Sequence, residues 1–233
     1  MKKLFCLCIT TLMLFGCLPD EKTTGLPVTL SQWAHDFQTA DGAVLLHAQS
    51  GIPRVDADTA AAQAVNKHLD ALQAEYQQRV QTMVDDLADI EIERTLQAEL
   101  ILNEICRNDE MILSFLLAEA ADTGGPHESL SFIGVNFDAK TGAMLSLQDL
   151  VAPDVTMQEL EQAIANRILA QIQAEPEGDY YADPAIIENL TAFTIGETGL
   201  TFYFAPYTIA PYTTGAPQFE IDASSHGGLT WLY

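Results

Sequence analysis

The most constraining pattern in the sequence is a long apolar stripe between residues 65 and 87. Its members recur at intervals of three and four residues: Val65, Leu69, Leu72, Tyr76, Val80, Val84 and Leu87. This spacing places all seven side chains on one face of an α-helix of about six turns. Polar residues such as Lys67 and Gln81 fall on the opposite face. The pattern predicts a long amphipathic helix whose apolar face is covered by another layer of the fold.

Beyond this helix the apolar period changes to two. Asp85 and Asp86 open an acidic stretch that extends to Glu93, and we interpret it as a solvated helix end. Apolar side chains then alternate with polar ones from Leu96 to Leu102, which indicates a strand. Further strands are predicted at residues 44–52, 111–118, 129–137, 193–195, 200–204 and 218–221. Short turns join most of them, so we expect an antiparallel sheet.

A second helix is predicted over residues 156–174, where Thr156 and Glu159 match a capping box. Its apolar edge is formed by Leu160, Ile164, Ile168 and Ile172. We therefore predict an α+β domain over residues 40–233, built from an antiparallel sheet with two main helices packed on one face.

The N-terminal residues have the pattern of a lipoprotein signal. Lys2 and Lys3 precede an apolar stretch of twelve residues, which is shorter than a membrane-spanning helix. The stretch ends in Leu-Phe-Gly-Cys, which is similar to a bacterial lipobox with Cys17 as the lipidated residue. We expect a signal peptide over residues 1–16 and a lipidated N-terminus and tether over 17–39. An ordinary signal peptide with a chance cysteine is the alternative.

A lipidated Cys17 would hold the protein at a membrane, since multiple acyl chains anchor a protein firmly. Leu18 follows Cys17, where an aspartate often retains lipoproteins at an inner membrane. In a Gram-negative cell we therefore expect the outer membrane, with the domain facing the periplasm. Removal of the signal would leave Cys106 as the one cysteine besides Cys17, and it is more typical of a small core residue than of a nucleophile.

The charge of the chain restricts its partners. Its 233 residues include 33 Asp and Glu against 10 Lys and Arg, a formal charge of −23, which becomes −25 without Lys2 and Lys3. Such a field repels phosphate, so nucleic-acid binding is excluded, and it attracts basic proteins. The five histidines are scattered, and no nucleophile elbow, phosphate-binding glycine loop or thiol pair is present. We expect no catalytic residue, metal site or cofactor.

One segment has the composition of a binding loop. Residues 202–215 read FYFAPYTIAPYTTG, so a strand runs directly into two Pro-Tyr pairs. Proline restricts the unbound loop, and tyrosine is frequent at binding hot spots. We identify Pro206, Tyr207, Pro211 and Tyr212 as candidate partner-binding residues. The alternative is that these rings fold back onto the core of the domain.

The same segment resembles the signature of the RsiV-like domain family. Residues 136–142 (NFDAKTG) and 147–150 (LQDL) match a second stretch of that family. The family includes the extracellular part of an anti-sigma factor and the accessory domain of a peptidoglycan deacetylase. The resemblance implies an α+β fold that binds lysozyme in its substrate cleft, in part through the Pro/Tyr loop. This chain carries a lipobox in place of a sigma-binding region and has no deacetylase domain.

These observations lead to one expected function and one alternative. We expect a lipid-anchored envelope protein that binds and inhibits a basic lysozyme-like peptidoglycan hydrolase, from the host, the cell itself or a competitor; the last would make it an immunity protein. The alternative is a non-catalytic accessory module that binds glycan in the cell wall.

Overall fold

A computed structural model describes residues 25–87, 90, 94–175 and 177–222. The signal sequence and Cys17 lie outside the described residues. The described residues form eight strands and two α-helices, which we number in chain order: β1 (Val28–Gln38), β2 (Val44–Val55), α1 (Ala60–Leu87), β3 (Leu96–Asn108), β4 (Ile112–Ala121), β5 (Ser129–Asp138), α2 (Met157–Ala174), β6 (Phe193–Ile195), β7 (Gly199–Tyr203) and β8 (Gln218–Asp222). Neither helix is long and apolar enough to cross a membrane.

The strands form two sheets. Five of them make a sheet of order β1-β2-β3-β4-β5, and the last three make a sheet of order β6-β7-β8. All pairs are antiparallel except β2–β3, which is parallel. The cause is α1, because a long helix between two strands returns the chain to the starting end of the sheet. The predicted α+β class with two main helices is confirmed, and the single antiparallel sheet is replaced by one mixed and one antiparallel sheet.

Each helix has its own apolar core. The stripe of α1 packs on the five-stranded sheet, with Val65, Leu69 and Tyr76 buried against residues of β2 to β5. In α2, Leu160, Ile164 and Ile168 pack with side chains of the three-stranded sheet. The two helices therefore cover different sheets and do not share one face. The capping box predicted at the start of α2 is present, with Thr156 as the N-cap.

The two sheets meet where β6 crosses β5 at Gly134. A Cβ atom at this position would lie 1.8 Å from the carbonyl oxygen of Phe193, so only glycine fits. Asn136, which is fully buried, donates from Nδ2 to the Phe193 carbonyl at 3.0 Å and accepts from the Ile195 N–H at 3.0 Å. Ser114 of β4 donates to Asn136 Oδ1 and also accepts from Ile195. This buried polar junction joins the second sheet to the first.

The expected tether over residues 17–39 is wrong for Val28–Gln38. These residues form β1, the edge strand, which pairs antiparallel with β2 along nearly its whole length. Trp33 and Phe37 pack against the first core, and the ring of His35 lies between theirs on the same face of the strand. The apolar positions change phase, from Val28 and Leu30 to Trp33 and Phe37, so no continuous period-two alternation marks this strand, and the nearby Pro, Thr and Gly residues indicate a linker. The folded domain therefore begins at least twelve residues before position 40.

Candidate functional site

The segment between β7 and β8 is a compact loop with a buried base. The Phe204 N–H donates to the Pro217 carbonyl at 2.9 Å and closes the loop where the strands end. Phe204, Ile209 and Ala210 are fully buried and belong to the core beneath α2 or its margin. Pro217 is buried as well, whereas the other residues of the loop, including both tyrosines, are half-buried or exposed. We call residues 204–217 the aromatic loop.

The tip of the aromatic loop is a β-turn with an unusual backbone. The Thr208 N–H donates to the Ala205 carbonyl at 3.1 Å, which closes a four-residue turn with Pro206 in its second position. Tyr207, in the third position, has φ of +69°, and it is the one non-glycine residue with positive φ in the described chain. Proline followed by positive φ is the type II arrangement, in which the third residue is normally glycine or asparagine. Its side chain is 57% exposed.

Three rings lie in a row at this surface. The rings of Tyr207 and Tyr212 have centroids 5.6 Å apart, and Tyr212 stacks on His127 at 4.3 Å. His127 comes from the connection between β4 and β5, so the row links the two sheets. Tyr212 is half-buried, whereas His127 and Tyr207 are exposed. We call His127, Tyr207 and Tyr212 the aromatic patch.

A neighbouring segment holds the aromatic loop in place. The Tyr181 N–H donates to the Ile209 carbonyl at 3.0 Å. Thr214 donates from Oγ1 to the carbonyl of Asp179 at 3.0 Å. Both contacts come from the chain that leads from α2 to β6. Because both arms of the loop are bonded in this way, the tyrosines are presented by a braced backbone, and ordering them on binding costs little.

The surroundings of the aromatic patch are acidic. The aromatic loop and the segment 175–183 contain no lysine or arginine, and Arg167 is the last such residue in the sequence. Glu128 follows His127 directly, and Asp179 lies in the bracing segment. Arg94 is the nearby cation; it forms a bidentate pair with Asp122, which holds the pKa of that carboxyl below its usual value. The patch thus combines aromatic surface with a negative field, which suits a basic partner.

The four candidate residues predicted from the sequence lie in this one loop. Tyr207 and Tyr212 are in contact, while Pro206 and Pro211 are half-buried at the start of each turn. Tyr207 does not fold back onto the core of the domain, as the alternative expected, because its side chain is largely exposed. Sequence reasoning did not find His127, because its partner Tyr212 is 85 positions away and no local pattern marks it.

Cys106 lies apart from the patch, in a polar groove of about 370 Å³ between β3 and the second sheet. Burial raises the pKa of its thiol, which disfavours the reactive thiolate, despite hydrogen bonds from Thr194 and Tyr203. No group of three His, Cys, Asp or Glu residues that could hold a metal ion occurs in the part of the chain that the structure describes.

One family model matches the part of the chain that contains the aromatic loop. Residues 148–224, about a third of the chain, match the family described as "Protein of unknown function (DUF3298)". The resemblance is to a DUF3298 domain. The matched residues include α2, the second sheet and the whole aromatic loop. No curated protein matches the sequence.

Two crystal structures of DUF3298 proteins share the fold over nearly the whole chain. The one from Pseudomonas aeruginosa PAO1 is 17% identical, with a TM-score of 0.61, and the match covers 89% of this chain and 95% of that one. The one from Bacteroides fragilis is 16% identical, with a TM-score of 0.60 and coverage of 90% and 96%. At these identities the similarity concerns the fold alone. It extends to the five-stranded sheet, whose residues precede the segment 148–224 that the family model matches.

Proposed function

We propose that this protein binds and inhibits a basic lysozyme-like peptidoglycan hydrolase through its aromatic patch. The observation that carries the proposal is Tyr207, which is exposed at the tip of a proline-initiated turn in a backbone conformation unfavourable for tyrosine. Strained residues of this kind are concentrated at functional sites. An exposed ring held in place at such a cost is better explained by a contact with a partner than by packing.

The shape and charge of the patch fit an enzyme cleft that accepts polysaccharide. Such clefts bind flat rings flanked by polar groups, which Tyr207 and Tyr212 offer from a braced loop. The formal charge of −23 would raise the rate at which a basic hydrolase is captured. The resemblance of residues 202–215 to the RsiV-like signature supports the same partner, because the family implies lysozyme binding through this loop.

The location belongs to the same proposal. The lipobox ending in Cys17 supports a lipid-anchored protein that faces the periplasm from the outer membrane in a Gram-negative cell.

Replacement Cys17→Ser should release the protein from the membrane fraction or leave an uncleaved precursor. Unchanged fractionation of this variant, with no labelled lipid on the parent protein, would contradict the anchor.

Inhibition can be tested by titrating the purified protein into a cell-wall hydrolysis assay with a basic C-type lysozyme. We expect stoichiometric loss of activity, and the Tyr207→Gly variant should inhibit much less. A matched control is Met144→Ala, which removes a side chain of similar exposure from a distant turn. Full inhibition by Tyr207→Gly, or none by the parent, would contradict the proposal.

The position of the contact can be tested by competition. A short oligomer of N-acetylglucosamine occupies the lysozyme cleft, so it should displace this protein if the patch inserts there. If the oligomer does not reduce binding of the protein to lysozyme, the contact lies outside the cleft.

A glycan-binding role is the second candidate. The groove beside Cys106 is lined by Thr201, Gln218 and three glutamates, Glu104, Glu197 and Glu220, all able to bond sugar hydroxyls. Direct binding of wall oligosaccharides to the protein alone, with no affinity for the hydrolase, would favour this role.

A further inference from the structure

A second surface feature, which includes none of the three residues of the aromatic patch, is a groove along the C-terminal half of α1. It encloses about 650 Å³ between the helix and the five-stranded sheet. Its residues on α1 extend from Glu75 to Leu87. Twelve helical steps correspond to about 18 Å of groove length. The volume lies within the range of small-molecule sites.

The groove exists because two small residues face each other beneath the helix. Ala98 of β3 and Ala121 of β4 are direct cross-strand partners, and both line the groove. Neighbouring positions on the same two strands, Leu100 and Leu117, hold larger side chains. Alanine at both partners leaves the space open between helix and sheet.

The helix presents two parallel stripes to the groove. The apolar stripe consists of Tyr76, Val80, Met83 and Leu87, spaced by three and four residues. The polar stripe beside it consists of Glu75, Arg79, Thr82 and Asp86. An occupant must therefore be elongated and apolar on one side, with a polar or charged group at the rim.

The rim charge is negative. Arg79 is already engaged by Glu119 across the groove, with Nε to Oε1 at 3.0 Å and Nη2 to Oε2 at 2.6 Å. Glu75 and Asp86, at opposite ends of the polar stripe, are both exposed carboxylates. A cationic group can thus pair with a carboxylate at either end of the groove, whereas an anionic group would be repelled at both ends.

Tyr76 is the most buried member of the apolar stripe. Its side chain lines the groove and is 1% exposed, and its hydroxyl has the backbone of Gln49 as a neighbour. Burial, with the charges of Glu119 and Glu99, raises the pKa of this phenol well above its ordinary value, so the side chain is uncharged. The ring therefore offers an apolar surface to an aliphatic chain.

We propose that this groove binds a linear aliphatic cation, with its chain along the apolar stripe and its charged end at a rim carboxylate. An extended dodecyl chain is somewhat shorter than the groove and fits within it. Such a ligand covers Tyr76, Val80, Met83 and Leu87 and leaves the Arg79–Glu119 pair intact. The groove shares no residue with the aromatic patch, and the proposal does not depend on hydrolase binding.

The test uses dodecylamine, protonated at neutral pH, and laurate, which has the same chain length and the opposite charge. Both are titrated into the purified full chain below their micelle-forming concentrations, and binding is followed by calorimetry. We expect saturable binding of dodecylamine and much weaker binding of laurate. Laurate binding as tight as that of the amine, or no saturable binding of the amine, would overturn the proposal.

Two sets of variants locate the site. Ala121→Leu fills the floor and should weaken amine binding by about tenfold, whereas Ala120→Leu, on the opposite face of the same strand, should leave it unchanged. The pair Glu75→Gln and Asp86→Asn, both at exposed positions, should weaken amine binding even if the leucine variant folds poorly. Equal amine affinity in the parent and the rim variant would overturn the assignment.

Discussion

Tyr207 shows how much can depend on one backbone angle. Its φ of +69° is the conformation that the third position of a type II turn requires, and glycine adopts it without steric cost. A tyrosine there costs of the order of 1 kcal/mol, and the ring recovers little because it is largely exposed. The residue therefore carries strain that folding alone does not explain.

The first prediction concerns this strain. Tyr207→Gly should leave the free energy of unfolding unchanged or raise it by up to about 1 kcal/mol, because relief of strain is partly offset by the added flexibility of glycine when unfolded. Urea denaturation of both proteins measures this difference. A loss of more than about 1 kcal/mol would show that the ring stabilises the fold, and would remove the main support for a binding role.

The residues of the aromatic loop could be predicted from the sequence, but their neighbour His127 could not. The two Pro-Tyr pairs are local, so a linear pattern can identify Pro206 and Tyr212 as loop residues. His127 stacks on Tyr212 only because the connection after β4 reaches the aromatic loop in the folded protein. No spacing along the chain contains that information.

Elements differ in how much they depend on distant contacts. α1 and α2 follow from local periodicity and, for α2, from the hydrogen bond that the Thr156 side chain accepts from the Glu159 N–H. The division into two sheets depends instead on Gly134 and Asn136, whose partners Phe193 and Ile195 are nearly sixty residues away. The helices could therefore be predicted, whereas the arrangement of the strands could not.

The second prediction tests the N-cap of α2. Thr156→Ala removes the side-chain acceptor for the Glu159 N–H and should lower the free energy of unfolding by about 1 kcal/mol. Thr156→Ser keeps the hydroxyl and is the control. Equal stability of the alanine and serine variants would show that this bond contributes nothing to the fold.

The third prediction tests the junction between the sheets. Asn136→Ala leaves the Phe193 carbonyl without its donor in a buried site, which should lower the free energy of unfolding by about 1–3 kcal/mol. Asn189→Ala removes a solvent-exposed bond to the Ala185 carbonyl and should cost much less. Similar losses in guanidinium denaturation would contradict the structural role given to Asn136.

For the whole molecule, charge is the dominant property. A formal charge of −23, with no lysine or arginine in the aromatic loop or the segment that braces it, produces a long-range field on this side of the protein. Such fields act chiefly on the rate of encounter, because salt screens them beyond about 8 Å at physiological ionic strength.

The fourth prediction follows from this field. The rate at which the protein associates with a basic lysozyme should fall as salt rises from about 0.02 to about 0.5 M, while dissociation changes much less, since close contacts are spared. Surface plasmon resonance separates the two rates. An association rate independent of salt would contradict steering by charge and leave the aromatic patch as the sole basis for recognition.

The most direct test of the account compares affinity and stability in one variant. The parent protein and Tyr207→Gly are titrated against the same basic C-type lysozyme, and both are melted under the same conditions. We predict at least a thirtyfold loss of affinity, about 2 kcal/mol, with a melting temperature that is unchanged or higher. Equal affinities with equal melting temperatures would contradict the claim that the aromatic patch binds the hydrolase.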